Sequence, residues 1–206
     1  EIGRDLGFRQ EGSLNCTDDP EVLAKWERWI KAAAEQGYHS ELLTAEQAKE
    51  RSPGTTTRWL GGVWSPTGSR AEPSMAAPAI AEGAKALGVS LQQNCAVRGL
   101  EISNGSLQGV WTERGLIRAP IVVAACGAWT SRLCRRYGID LPVANIGATA
   151  LRTKPVDRVL DYGTFSAPGL AMRRRVDGGY TLAVPGYGSL NIAPQSLRYA
   201  TRFYQM

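Results

Sequence analysis

Few residues in this sequence have the types and spacing that hydrolytic or metal chemistry needs. His39 is the only histidine, so a Ser/His/Asp hydrolase, a Cys/His protease or a two-histidine metal site would each depend on it. The four cysteines (Cys16, Cys95, Cys126 and Cys134) lie too far apart for a zinc site or a CxxC redox pair. We therefore expect no metal site and no histidine-based hydrolase.

A possible phosphate-binding turn lies beyond the middle of the chain. The apolar run at residues 121–125 is typical of a strand buried in a parallel sheet, and it leads into Cys126-Gly127-Ala128-Trp129. A helix is predicted to begin at Thr130, and a turn between strand and helix lets backbone N–H groups approach a phosphate. Many α/β crossovers carry a glycine here, so the pattern alone is weakly specific. For Cys126 we weigh a redox-active thiol against a small buried residue, and favour the second.

Basic residues are concentrated in the second half of the chain. Residues 114–206 contain 13 basic and 4 acidic side chains, whereas residues 1–113 contain 11 and 15. Arginine clusters occur at 135–136 and 173–175, without a recognisable nucleic-acid-binding module around them. We expect no nucleic-acid partner, and three explanations stay open: a solvated face, an anionic ligand or a docking surface.

The clearest predicted element is an amphipathic helix near the start of the chain. Asp19 followed by Pro20 predicts its N-terminus, and apolar residues then recur at helical spacing up to Gly37. Trp26 and Trp29 lie on the apolar stripe, so we expect them to be core residues rather than a stack against a cofactor.

The other predicted elements alternate between helix and strand. A capping box at Thr44 predicts a short helix that ends at Ser52, and Pro73 begins a third helix that ends at Gly88. Strands are predicted at 60–65, in a period-two region from 89 to 112 with a turn at 104–105, at 116–117, and in an antiparallel sheet formed by 145–153, 170–175 and 180–184.

Several linked segments between residues 60 and 135 carry the motifs of one protein family. They are Gly61-Gly62-Val63-Trp64-Ser65-Pro66, the helix opened by Pro73, the Val97 strand, Gly109-Val110-Trp111-Thr112, Gly115-Leu116-Ile117-Arg118-Ala119 and residues 121–129. In this order they resemble the FAD-dependent D-amino-acid oxidase superfamily, which includes glycine oxidase, sarcosine oxidase and bacterial amino-acid dehydrogenase subunits. The similarity continues more loosely in both directions.

This resemblance implies an α/β (α+β) fold and FAD as the cofactor. A partial FAD domain of the glutathione-reductase type, at residues 60–138, would be interleaved with a mainly antiparallel substrate domain made of residues 1–58 and 139–206. Val97 would lie against the adenine side of FAD through its backbone. Ala125, Cys126 and Gly127 would form the small turn close to the dinucleotide, with Trp129 just beyond. A covalent flavin bond at Cys126 is an alternative that we do not favour.

The resemblance also implies an activity and a substrate class. The expected reaction is oxidation of the C–N bond of an amino acid or N-substituted amino acid, by hydride transfer to the flavin. Arg173 or Arg175 could hold the substrate carboxylate in a bidentate pair, with Tyr180 on the same hairpin. The alternative, which we favour, is that these arginines lie on a solvent-exposed face. No catalytic residue is assigned.

Two segments expected of such flavoproteins are not found in this sequence. The first is the G-x-G-x-x-G turn that lets the backbone approach the pyrophosphate, and the second is a closing segment that returns to the flavin ring. We therefore expect an internal fragment of a longer flavoprotein, inactive and poor at holding FAD by itself. The main alternative is a noncatalytic interaction module that docks through its basic half, and a nucleotide-binding protein without redox chemistry ranks third.

The sequence also predicts the environment of the protein. It does not open with the basic and apolar regions of a signal peptide. The longest uncharged stretch, residues 178–197, contains too many glycines and prolines for a membrane span. We expect a cytoplasmic protein without a transmembrane segment, and partner subunits are possible.

Overall fold

The structure is a computed structural model that describes residues 2–203. Its helices are α1 Pro20–Glu35, α2 Ala45–Arg51, α3 Pro73–Ala86, α4 Thr130–Arg135, α5 Pro194–Arg198 and α6 Ala200–Phe203, with a 3₁₀ turn at Gly127–Trp129. Its strands are β1 Arg9–Gln10, β2 Ser13–Thr17, β3 Glu41–Thr44, β4 Gly61–Ser65, β5 Ser69–Arg70, β6 Val97–Ser103, β7 Ser106–Thr112, β8 Gly115–Arg118, β9 Ile146–Gly147, β10 Ala150–Arg152, β11 Thr164–Ala167, β12 Leu170–Arg174, β13 Tyr180–Ala183 and β14 Ser189–Leu190.

The described residues form two compact units. The first unit contains residues 2–89 and 148–187, and the second contains residues 90–147 and 188–203. These limits differ from the predicted boundaries near residues 59 and 138, and strand β4 lies in the same sheet as β2 and β3. The two units are defined by compactness alone, so the division into an FAD domain and a substrate domain stays a prediction.

A seven-stranded sheet organises the first unit, in the order β10-β13-β12-β11-β2-β4-β3. Its neighbouring strands are antiparallel except β11 and β2, which are parallel. One face is apolar, and Leu14, Cys16 and Phe165 from this face are buried together with Trp59 and Tyr162. The mixed α/β fold that the sequence predicts is confirmed.

The opposite face of this sheet, which we call the polar face, has a different composition. Strand pairing places Ser13 beside Thr164 and Thr164 beside Arg173, and Arg173 lies beside Thr181. Because side chains alternate along a strand, these four residues share one face with Asn15 and Ser166. All of these side chains are half-buried, so the face is only partly covered.

Helix α1 forms where the sequence predicts it. The Asp19 carboxylate accepts hydrogen bonds from the N–H groups of Glu21 and Val22 at 2.8 and 3.4 Å, which satisfies free donors of the first turn. The expectation for Trp29 is wrong, because it is 51% exposed and only Ala33 is buried in this helix. The helix contacts β2, β3 and β4 at one margin of the sheet, so its apolar stripe is wider than the surface it covers.

Helices α2 and α3 and the hairpin of the second unit also agree with the sequence. Thr44 and Gln47 exchange the two hydrogen bonds of a capping box at the start of α2. Strands β6, β7 and β8 form an antiparallel sheet, and the turn residues Asn104 and Gly105 have φ of 51° and 73°, as a tight hairpin requires.

The predicted parallel strand at residues 121–125 is wrong for this chain. These residues have no regular secondary structure, and Ile121 and Val123 are 79% and 84% exposed. A strand that is apolar on both faces needs hydrogen-bonded neighbours and a covering layer, and no described strand pairs with this one. The predicted period-two region from 89 to 112 forms strand only from Val97 onward, because Gly88 and Val89 close helix α3 through N–H bonds to the carbonyls of Lys85 and Ala84.

Candidate functional site

A shallow cavity of about 260 Å³ lies on the sheet of the first unit. Asn15, Thr164, Ser166, Arg173 and Thr181 of the polar face contribute to its wall, together with apolar atoms of neighbouring strand residues. Hydroxyl and amide groups can donate and accept hydrogen bonds, and a guanidinium can bind a carboxylate in a bidentate pair. This arrangement can hold a small polar molecule that carries an anionic group.

Arg173 lines this cavity and is partly engaged by the protein. Its guanidinium donates to the Ala71 carbonyl at 2.5 Å and lies 3.4 Å from a carboxylate oxygen of Glu72. Glu72 is buried, and its carboxylate also accepts from the N–H of Val176 at 3.1 Å. The side chain of Arg173 keeps 26% of its surface exposed. It is therefore held in place without being enclosed.

Two further arginines and a second glutamate extend this cluster. Arg70, with a side chain only 4% exposed, pairs with Glu11 at 2.9 Å and lies 3.7 Å from Glu72. Arg174 lies 3.9 Å from Glu11. Three arginines thus meet two glutamates, and the cluster keeps one net positive charge. An anion that reaches Arg173 meets a favourable local potential.

Arg175, the second predicted carboxylate ligand, is occupied inside the protein, so the favoured expectation that it lies on a solvent-exposed face is wrong. It is 6% exposed, and it donates to the carbonyls of Tyr180 and Thr153 at 2.9 and 3.1 Å. It also pairs with the Asp177 carboxylate at 2.6 Å. This hydrogen bond, followed by one from the Gly179 N–H, holds the pKa of Asp177 below its usual range. The guanidinium of Arg175 thus holds the β12–β13 turn.

Tyr180, the third predicted substrate residue, lies away from the polar face. It pairs with Arg174 in the sheet, so its side chain is on the opposite face from those of Arg173 and Thr181. Tyr180 is 3% exposed, and its hydroxyl accepts from the N–H of Val159 at 3.1 Å. Of the three predicted substrate residues, the structure places Arg173 alone at the cavity, and the roles of Arg175 and Tyr180 in substrate binding stay predictions.

A second cavity, of about 280 Å³, continues the polar face toward helix α1. Its lining residues are Asn15, Trp26, Trp29, Val63 and Ser65, and Asn15 also lines the first cavity. The sequence reasoning did not assign these residues to a site. The available signal was the alternation of polar residues at 13 and 15 and at 164 and 166, which is typical of a strand with one polar face.

The predicted cofactor residues all lie in the second unit. Gly127 has a φ of +54°, and nothing lies within 4 Å of the position where a Cβ would be, so its backbone is open to a ligand. Val97 is 46% exposed and Trp129 is 69% exposed. Cys126 is exposed, which contradicts the expected small buried residue. Next to it, among residues 2–203, no hydrogen bond reaches the backbone of Ala125.

These features fit one edge of a dinucleotide site and not a complete one. An open turn with a positive-φ glycine allows close backbone approach, and the exposed apolar residues before it offer a surface for a strand or a ring. The sequence contains no G-x-G-x-x-G segment, so a cradle of that kind for the pyrophosphate is not supplied by these residues.

Comparison with known proteins identifies the family of this chain. The sequence profile of the family described as DAO, FAD dependent oxidoreductase, matches residues 1–202. The chain belongs to this family. The resemblance inferred from the sequence is confirmed, and so is FAD as the cofactor of the family. Which residues of this DAO-family chain contact FAD stays a prediction.

Three relatives of this DAO-family chain show its relation to known flavoproteins. D-amino acid dehydrogenase of Vibrio cholerae is 28% identical over 156 residues, which cover 74% of this chain and 37% of that protein. Sarcosine oxidase subunit beta of Arthrobacter sp is 32% identical over 157 residues, covering 73% and 39%. L-amino acid deaminase from Proteus myxofaciens, solved in complex with anthranilate, superposes with a TM-score of 0.90 at 29% identity, covering 100% of this chain and 47% of that one. The DAO-family chain thus spans less than half the length of each.

Between residues 2 and 203, no helix combines the length and the apolar character needed to cross a membrane. Over the same residues, no group of three or more His, Cys, Asp and Glu side chains could hold a metal ion.

Proposed function

We propose that this chain is part of an FAD-dependent oxidoreductase that oxidises the C–N bond of an amino acid or N-substituted amino acid. The polar face of the first unit would bind the substrate, and the open turn at residues 125–129 of the second unit would contact the dinucleotide. The observation that supports this proposal best is Arg173, a partly exposed guanidinium beside a shallow cavity whose mainly apolar wall includes hydroxyl and amide side chains.

The residues of the polar face would orient the substrate. Arg173 donates to the carboxylate through N–H groups that Ala71 and Glu72 leave free. Asn15, Thr164 and Thr181 offer further donors and acceptors on the same face, and they can accept from the amino group. Fixing both groups of the substrate sets the direction of its α-carbon hydrogen, and orientation of this kind lowers the entropic part of the barrier.

The redox chemistry belongs to the cofactor. When bound, FAD supplies a two-electron acceptor for the hydride that leaves the α-carbon. The substrate becomes an imine as its nitrogen loses a proton, and water then converts the imine to a carbonyl compound and a free amine. An amine that binds in its neutral form needs no general base from the protein, which agrees with the small number of histidines.

We further propose that the chain acts as part of a longer flavoprotein. Support comes from its share of its relatives, between 37% and 47% of their length, and from the unpaired apolar residues 121–125. The alternative of an interaction module docking through the basic half has less support, because Arg173 and Arg174 of that half are paired with glutamates and Arg175 is buried.

Flavin reduction tests the proposed activity directly. The longer flavoprotein that contains this chain is saturated with FAD, made anaerobic and mixed with D- and L-amino acids and with N-methyl amino acids while the flavin absorbance is followed; the same FAD-containing protein is used in the tests below. We expect at least one class of amine to bleach the flavin. Arg173→Met should raise the KM of this substrate at least about tenfold, since its carboxylate loses a charged hydrogen-bonding partner. Flavin that no amine reduces would refute the proposed activity, and an unchanged KM in the variant would refute the role of Arg173.

A further inference from the structure

The tryptophans of helix α1 are the feature that the proposed function leaves unexplained. Trp29 is 51% exposed, although a helix that packs on a sheet normally buries its largest apolar side chains. Trp26 and Trp29 line a cavity with Ser65 of β4 and Asn15 of β2. This cavity meets the one that contains Arg173, since Asn15 belongs to both. The two cavities are therefore neighbours on the polar face, one on each side of Asn15, and we call the pair the groove.

The ends of this groove differ in chemistry and lie far apart. One end has two indole rings, which suit an apolar or aromatic group, and the other end has the guanidinium of Arg173. The strand order β4-β2-β11-β12 puts two to three strand spacings between them, which corresponds to about 10 to 14 Å before the reach of the side chains is subtracted. A glycine-sized or alanine-sized substrate held at Arg173 cannot reach the indoles.

We propose that Trp29, supported by Trp26, determines substrate specificity by binding an apolar substituent that lies several bonds from the substrate carboxylate. The proposal rests on the proposed function for the identity of the reacting group. It adds that the groove selects elongated substrates, and that their length matters as well as their hydrophobicity. Substrates whose ring is joined to the α-carbon through a longer alkyl chain bridge the two ends, whereas short ones leave the indoles in water.

A series of substrates of increasing length tests this inference. The racemic series runs from 2-phenylglycine through phenylalanine and 2-amino-4-phenylbutanoate to 2-amino-5-phenylpentanoate, and the rate of flavin reduction is measured for each. We expect kcat/KM to rise by at least about tenfold from the shortest member to the best one, because each buried methylene contributes to discrimination. In Trp29→Ala the rise falls below about threefold, while Trp29→Phe retains most of it.

A binding measurement separates this inference from the proposed activity. Phenylacetate, 3-phenylpropanoate and 5-phenylpentanoate have no amine to oxidise, and their affinities for the FAD-containing protein are measured by calorimetry. We expect the longest to bind at least about tenfold more tightly than the shortest, and Trp29→Ala to remove this difference. Binding with this pattern but without flavin reduction by any amine would refute the proposed activity and leave the groove established.

Two further variants control for indirect effects. Trp111→Ala removes a tryptophan of similar exposure, 45%, that lies on β7 outside the groove, and it should leave the length dependence unchanged. Ser65→Phe fills the indole end of the groove while Trp29 itself is kept, and it should penalise the long members alone. A length dependence that survives in both Trp29→Ala and Ser65→Phe, or one that is absent from the unmodified protein, would overturn the inference.

Discussion

Replacement of Arg175 by methionine tests whether this arginine supports the fold or binds substrate. Methionine keeps most of the apolar stem and removes all five donors. Two hydrogen bonds from a charged group to the carbonyls of Tyr180 and Thr153 are then lost in a side chain that is only 6% exposed. At about 1.5 kcal/mol for each, the lower end for charged partners, the free energy of unfolding should fall by about 3 kcal/mol. The pair with Asp177 is left out of this sum because that carboxylate is open to solvent.

Urea unfolding followed by tryptophan fluorescence measures this loss, with Arg152→Met as the matched control. Arg152 is an exposed arginine whose pair with Asp177 is 3.5 Å long, and its loss should change stability by less than about 0.5 kcal/mol. A loss below about 1 kcal/mol in Arg175→Met would refute the view that Arg175 holds the β12–β13 turn. If the same variant folded normally but raised the KM of a carboxylate substrate, the substrate-binding prediction for Arg175 would be restored.

Three further predictions concern buried or constrained positions in the first unit. Ser52→Ala should lower the free energy of unfolding by about 1 to 3 kcal/mol, measured in a thermal or urea melt. The Ser52 hydroxyl donates to the Ala48 carbonyl at 2.7 Å and accepts from the Trp59 indole N–H at 3.1 Å, and both bonds are lost. Ser69→Ala, at an exposed site, is the control. Gly12→Ala should lower the free energy of unfolding by more than about 2 kcal/mol, since φ is +83° and a Cβ would lie 2.2 Å from the Trp64 ring. Its control, Gly37→Ala, has a similar φ of +80° but open space around the Cβ position, and it should lose about 1 kcal/mol. Equal losses would contradict the steric part of this prediction. Burial raises the pKa of the Cys16 thiol from 9.0 to about 11, so at pH 8 a thiol reagent should label exposed Cys126 in the folded protein and Cys16 only after unfolding. Because the folded state favours the protonated thiol, Cys16 should also destabilise the fold as the pH rises above about 9. Cys16→Ala should remove this contribution and leave that of buried Tyr162, whose pKa is also raised.

The sequence predicts local structure well where a few neighbouring residues determine it. The capping groups Asp19 and Thr44 make their bonds within the next three residues, and the Asn104-Gly105 turn fixes its own hairpin. Strand β11 was not predicted, because it has only four residues and forms a strand through its pairing with β2 on one side and β12 on the other. Arg175 was misjudged for a related reason. One of its acceptors, the carbonyl of Thr153, is 22 residues away in sequence, and sequence spacing does not reveal such a partner.

Trp29 and residues 121–125 show why an apolar pattern does not by itself identify a core. An apolar pattern indicates that a side chain is kept away from water in the complete protein, but it does not indicate what covers that side chain. A ligand, another segment or a sheet neighbour satisfies it equally well. For residues 121–125, the unpaired backbone favours a strand neighbour, since a ligand alone would leave buried N–H and C=O groups without partners. For Trp29 the backbone is already satisfied within helix α1, and the polar groups beside its ring suit a bound molecule better than a packed protein layer. The two exposures therefore have different causes. Only that of Trp29 should respond to a small molecule, as a change in tryptophan fluorescence that Trp29→Phe reduces to the part contributed by Trp26.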